Sequence, residues 1–152
     1  IRHTYTQTIV APPERVFPLL CPVRETEWTL GWNPKLIVSD SGVAEAECVF
    51  VMPGQDKDAE DTVWTITRHQ PESFELEMRT VTPGRTAGKI EIALSAAGGD
   101  RTHAKIAYAH TSLGPEGDAF LEGFTKEWFQ SFMKAWEEEL NYFLSTGNKL
   151  PG

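Results

Sequence analysis

The stretch that most constrains this fold is the last quarter of the chain. From Pro115 to Thr146 there is no internal proline, and apolar residues recur at helical spacing: Phe120, Leu121, Phe124, Trp128, Phe132, Ala135, Trp136, Leu140, Phe143 and Leu144. Asp118, Glu122, Lys126, Gln130, Lys134, Glu137, Glu138 and Asn141 hold the opposite face. The pattern predicts one amphipathic helix, opened near Gly114-Pro115 and stopped at Gly147. At ~1.5 Å rise per residue, about 30 residues run roughly 45 Å, longer than a small domain is wide. Such a helix needs a broad apolar surface to lie across.

The preceding residues read as that surface. Residues 3–10, HTYTQTIV, are rich in Thr, Tyr, Ile and Val and predict a strand. APPERVFPLLC predicts a short helix opened by Pro12 or Pro13 and kinked or divided at Pro18. CPVRETEWTLGWNP, Cys21 to Pro34, reads as a second short helix or an irregular turn. Six further strands follow, over residues 35–40, 46–52, 61–69, 73–82, 86–96 and 101–113, with an acidic loop at 53–61. Phe74, Leu76 and Met78 alternate with Glu75, Glu77 and Arg79, while Ile90, Ile92 and Leu94 oppose Lys89 and Glu91. Alternation of this kind marks a sheet with one covered and one wet face. Ala104, Ile106, Tyr108 and His110 share a face, which we assign to the covered side.

The order of elements is α+β. The opening IVAPPERVFPLL, the tryptophan-bearing EWTLGWNP after the short helices and the terminal helix together resemble the helix-grip fold of the START and birch-pollen-allergen-like superfamily, also labelled SRPBCC or polyketide cyclase/dehydrase-like. The resemblance covers nearly the whole chain. It implies a seven-stranded curved antiparallel sheet wrapped around a long C-terminal helix, with two short helices after strand 1. It also implies a cavity between sheet and helix for an apolar or amphipathic small molecule, as in lipid carriers, hormone receptors and aromatase/cyclases. The paired cysteine and histidine ligands of an oxygenase iron–sulfur domain are missing, which sets that branch aside.

With 152 residues, one domain over 1–152 is expected. A net charge of -8 opposes nucleic acid and anionic membrane surfaces as partners. Cys21 and Cys48 form no CxxC pair and read as buried free thiols, which points to the cytoplasm. No apolar run reaches the length of a membrane span. The chain begins at Ile1 without a methionine, which fits a trimmed end or a removed leader.

No metal or other cofactor is expected. His3, His69, His103 and His110 are not at ligand spacing, and no HxH, HExxH, GxSxG, GxGxxG or phosphate-cradling GKS/GKT occurs. Tyr108 and His110 are the informative polar pair on an otherwise apolar inner face, read either as satisfied core groups or as the hydrogen-bonding end of a ligand cavity. Burial would lower the His110 pKa and keep the imidazole neutral, with Tyr108 donating to it. Trp28 and Trp32 are expected at the cavity end as gate or plug, gate preferred, with Arg24, Glu25 and Glu27 as a solvated rim. The residues expected to line a ligand space are Trp28, Trp32, Trp64, Met78, Tyr108, His110, Phe124, Trp128 and Phe132. The leading function is binding of an apolar or aromatic small molecule. A polyketide cyclase/dehydratase using His110 with Tyr108 or Glu25, and a protein-interaction module with a filled core, are the rivals.

Overall fold

A computed structural model describes residues 1–54 and 59–152. The middle of the acidic loop at 53–61 therefore lies outside the described residues. Seven strands form one antiparallel sheet in the spatial order β1-β7-β6-β5-β4-β3-β2. They are β1 (Arg2–Ile9), β2 (Leu36–Val38), β3 (Val49–Met52), β4 (Thr62–Gln70), β5 (Glu75–Thr82), β6 (Thr86–Gly98) and β7 (Arg101–Ser112). Five of the six adjacent pairs are sequential neighbours joined by turns or loops. The sixth brings β1 back beside β7, with Tyr5 opposite Ile106 and His3 opposite Tyr108. The sheet is curved, and a bulge in β4 between Ile66 and Arg68 bends it locally.

The register carries the alternation across the sheet. Ile66 lies opposite Met78, Met78 opposite Ile90, and Ile90 opposite Tyr108, so one row of the covered face runs from β4 to β7. A neighbouring row runs Phe50, Trp64, Thr80, Gly88, His110. The assignment of Tyr108 and His110 to the covered face holds. The wet face carries Glu77, Arg79, Lys89 and Glu91, which form an ion-pair chain with Lys89 Nζ at 3.3 Å from Glu77 and 3.7 Å from Glu91.

After β1, Pro12 and Pro13 open α1 (Pro13–Val16), and Pro18 falls in a 3-10 turn over Phe17–Leu19, so the proline divides the helix as expected. A second 3-10 turn spans Arg24–Glu27.

The single C-terminal helix expected from the apolar stripe is two helices, α2 (Pro115–Gly123) and α3 (Lys126–Thr146). Phe124 leaves the helical conformation at ψ 63°, and Thr125 caps α3 by accepting the Trp128 N–H on its hydroxyl at 3.1 Å. Gly123 followed two residues later by a hydroxyl N-cap was the overlooked signal. The carbonyl of Phe124 left free at the break accepts from His3 Nε2 at 2.9 Å. The break rotates the second segment. Phe129, Met133, Leu140 and Leu144 are its buried stripe, whereas Trp128 and Phe132, read as part of that stripe, are 49% and 40% exposed. Gly147, at φ 76°, ends α3 with its N–H on Phe143 O at 2.7 Å.

Glu137 and Asn141, assigned to a wet helix face, instead clamp the open edge of β1. Thr8 N–H donates to Glu137 Oε2 at 2.6 Å, Val10 N–H to Asn141 Oδ1 at 2.9 Å, and Asn141 Nδ2 to Thr8 O at 3.0 Å. Edge groups that would template another strand are thereby occupied.

Candidate functional site

The helices do not cover the sheet evenly. α3 lies along β1 and α2 along β7, and no helix backbone comes as close to β2, β3, β4 or β5. Side chains fill part of the remaining width. Trp28 is fully enclosed, packs on Trp136 at 5.2 Å between ring centres, and donates its indole N–H to Leu19 O at 3.0 Å. Trp32 donates to Pro22 O at 2.8 Å and keeps exposed surface while packing on Phe50 (5.8 Å) and Trp64 (6.3 Å). The two tryptophans thus differ: Trp28 is a plug with no face free, and Trp32 is only half-buried.

On the covered face, Ile37, Met52, Trp64, Tyr108 and His110 all retain accessible surface, as do Trp32 and Trp136 facing them. Ile37, Met52 and Trp64 stand on β2–β4, the part of the sheet that the helices leave least covered. The expected lining residues fall into two groups. Trp32 and Trp64 join Phe50 at the β3–β4 side, and Phe124, Trp128, Phe132, Tyr108 and His110 gather under the α2–α3 break. Met78 sits between them on β5, 8% exposed. A separate shallow groove bounded by Tyr5, Glu127, Gln130, Ser131 and Lys134 lies between β1 and α3 and includes none of these residues.

His110 is boxed by Phe120 (5.2 Å) and Phe124 (4.8 Å), both meeting it edge-on. Burial lowers its pKa to about 4, so the ring is neutral at pH 7. Tyr108 lies 6.2 Å away, ring centre to ring centre, and the expected hydrogen bond from Tyr108 to His110 is not formed; His110 Nδ1 is buried with no partner among the described residues. Gly88 floors a notch in which an added Cβ would stand 2.4 Å from Thr80 Oγ1 and 2.8 Å from His110 Nδ1. The notch brings a hydroxyl and a ring nitrogen toward one small space.

Further polar atoms are stranded in the interior. Gln7 donates its amide to Met133 O at 2.9 Å, but among the described residues its Oε1 has no partner, and neither Trp64 Nε1 nor Thr29 Oγ1 has one. Buried polar atoms are ordinarily paired with protein or ordered water, and these atoms are exceptions.

Glu25 is a correction to the expected solvated rim. Arg24 and Glu27 do pair at the surface, 2.6 Å apart, but Glu25 is 8% exposed, and burial pushes its carboxyl well above the usual range. It stands close enough to Tyr108 that its charge, second to burial, raises the phenol further. The overlooked signal was spacing: Glu25 and Trp28, three apart on a 3-10 turn, share one face, and Trp28 faces the core. Cys21 and Cys48 are both buried and free. No helix among the described residues is long and apolar enough to cross a membrane, and no cluster of three or more His, Cys, Asp or Glu has the geometry to hold a metal.

No family model matches the sequence. No curated protein matches it either. The architecture is nonetheless shared with solved structures. Norcoclaurine synthase from Thalictrum flavum superposes with a TM-score of 0.67 at 9% identity, over 96% of this chain and 87% of that one. DynU16, from the dynemicin biosynthetic locus, gives 0.62 at 15% identity over 97% of this chain. The di-domain ARO/CYC BexL of the BE-7585A pathway gives 0.66 at 8% identity over 95%. The chain spans about half the length of DynU16 (48%) and of BexL (47%). At these identities the likeness is one of fold: the protein shares with these structures the helix-grip arrangement of a curved seven-stranded sheet and a long C-terminal helix.

Proposed function

We propose that the protein, as a single domain over residues 1–152, binds an apolar or amphipathic aromatic small molecule between the curved sheet and α3. The observation that carries this reading is the set of inward atoms without protein partners, His110 Nδ1, Trp64 Nε1 and Gln7 Oε1, set among aromatic side chains that keep accessible surface. A ligand pocket has this makeup, a mostly apolar wall with a few placed polar groups. Trp32, Trp64, Met78, Tyr108, His110 and Phe124 would form the wall, with Trp28 closing the end behind it; Trp128 and Phe132, expected there, are turned toward solvent. Norcoclaurine synthase, which shares the fold, has been seen in complex with dopamine and hydroxybenzaldehyde, both aromatic.

A second reading, a cyclase or dehydratase acting on a polyketide-like chain, is favoured by one observation: a buried, unpaired carboxyl at Glu25 beside Tyr108 is the kind of group that supplies acid or base chemistry. BexL is described as an aromatase/cyclase. The net charge of -8 and two free thiols support a cytoplasmic protein that avoids nucleic acid and anionic lipid surfaces.

The binding reading is tested with an environment-sensitive apolar dye. Energy transfer from tryptophan to bound dye, reduced in Trp32→Phe and Trp64→Phe, is the expected result. A folded protein with no dye signal, and no adduct in a native mass spectrum, would refute it.

A further inference from the structure

The face of the sheet turned away from the helices is not uniformly polar. On β4 and β5 it carries Thr65 opposite Arg79, but two positions along it carries Val63 opposite Val81. The register continues this row to Val51 on β3 and Ala87 on β6, and in the next row sets Val49 beside Val38 of β2. Val38, Val63 and Val81 are 54%, 39% and 45% exposed, so no described element lies over them. The sequence carries the same signal. β2 (LIV) and β3 (VFVM) contain no polar residue, whereas β5 alternates over Glu75–Arg79. A strand with one solvated face alternates, and a strand apolar on both sides belongs to a sheet covered on both faces.

The charges around the valines indicate what covers them. Arg2, Arg68, Arg79 and Lys89 lie within 3.9 Å of Glu75, Glu77 or Glu91, and Lys35 lies 2.8 Å from Asp61. This border holds five cations and four acids, in a chain with 14 Lys and Arg against 22 Asp and Glu. A near-neutral border offers a basic partner no excess of acid, and it lets two acidic chains approach with little repulsion. A border of both signs is also self-complementary. Turned about a two-fold axis, Arg79 of one copy can face Glu77 or Glu91 of the other.

The size fits a second copy as well. With strands about 4.8 Å apart and about 3.3 Å per residue, β2–β6 present roughly 24 by 27 Å, or about 650 Å² in plan; side-chain relief brings this near the ~800 Å² per partner of a specific interface. We propose that two copies of this chain pack sheet on sheet through this face, about a two-fold axis near the Val63–Val81 pair. β-branched side chains standing out from both sheets interdigitate in such a layer, about 10 Å thick. The ligand space lies on the other face of the sheet, so the dimer and the binding reading stand or fall separately.

The test is sedimentation velocity with native mass spectrometry on the full chain, from about 1 to 500 µM. Wild type should pass from 17.0 kDa to twice that mass as concentration rises, with a Kd on the order of 10 µM. Val63→Lys and Val81→Lys should each raise the Kd by at least about tenfold, since every substitution acts twice across the axis. Ala93→Lys, on the same face beyond the charged border, should leave the Kd unchanged. All three positions are exposed, so thermal melts at low concentration should match wild type. Val38→Lys, on the edge strand, decides the matter if a variant at Val63 or Val81 fails to fold. A wild type that stays at 17.0 kDa throughout overturns the proposal, as does a dimer that persists in the lysine variants or is weakened equally by Ala93→Lys. Monomeric wild type that co-sediments with phosphatidylcholine vesicles, and loses them in Val81→Lys, also overturns it by assigning the valines to a lipid surface.

Discussion

Gly88→Ala probes the most tightly built part of the covered face. Gly88 lies in ordinary strand backbone, so alanine meets no conformational penalty there, and replacing glycine should stabilise by about 0.4–1 kcal/mol through the unfolded chain. Sterics act against this. The new methyl would stand 2.4 Å from Thr80 Oγ1, 2.8 Å from His110 Nδ1 and 2.9 Å from His110 Cε1, all well inside van der Waals contact. Thr80 can rotate its hydroxyl away, but the His110 ring is held by Phe120 and Phe124 at 5.2 and 4.8 Å and has little room to retreat. Overpacking of this kind costs about 1–3 kcal/mol. The net expectation is a loss of about 1–2 kcal/mol, or roughly 2–8 °C in Tm for a chain of this size. The assay is thermal unfolding at pH 7 of Gly88→Ala, Thr80→Ala and the double variant. The double variant should recover part of the loss, because the shortest contact is gone. A Gly88→Ala protein that melts at or above wild type would refute the placement of His110 over Gly88.

Three further outcomes follow from the same packing. His110→Phe keeps the ring against Phe120 and Phe124 but removes a nitrogen that has no partner, so at pH 7 it should stabilise by about 1 kcal/mol while weakening polar-headed ligands. Because the folded His110 pKa, about 4, lies below the unfolded value of about 6.5, the unfolded chain takes up the proton first as pH falls. Wild type should therefore lose on the order of 2 kcal/mol relative to His110→Phe between about pH 6.5 and 4, after allowance for partial exposure; a difference flat across that window would count against a buried neutral ring. Glu25 titrates with the opposite sign, its raised pKa weakening the fold as pH rises, and it cancels in this subtraction. Trp28→Ala, emptying a fully enclosed site and freeing Leu19 O, should cost about 3–5 kcal/mol, whereas Trp32→Ala should cost less and act mainly on dye binding; equal melting temperatures for the two would be inconsistent with an enclosed Trp28 and a half-buried Trp32. Gly117→Ala would drive its methyl to 1.8 Å from the Arg85 carbonyl oxygen, a backbone atom that cannot rotate away, and should lower Tm by more than Gly88→Ala.

Much of the fold was legible in the linear sequence because it rests on periodicity. A period of two in Phe74–Arg79 and Lys89–Leu94 placed one face of each strand inward, and the register bears this out at Met78, Ile90 and Tyr108. The prolines at 12, 13 and 18 set the beginning and division of the first helix through their fixed φ and missing N–H. The start of the last helical region at Pro115 and its stop at Gly147 were legible for similar local reasons.

What only the tertiary structure decided concerns which face of each helical segment meets the sheet and which polar groups meet each other. The break at Phe124–Thr125 is local, yet its consequence is not: it rotates α3 so that Phe129 and Met133 enter the core and Trp128 and Phe132 leave it. Glu137 and Asn141 look like solvent-facing helix residues until the open edge of β1 is beside them. Glu25 and Glu27 are the same residue type two positions apart, and nothing in the local composition separates the surface ion pair from the buried acid. The difference comes from burial: packing of the second 3-10 turn over the interior takes Glu25 out of water and leaves Glu27 at the surface. Periodicity is a property of neighbouring residues and survives in the linear chain. The charge state and partners of a buried group depend on the dielectric and atoms around it, and those exist only once distant segments have packed together.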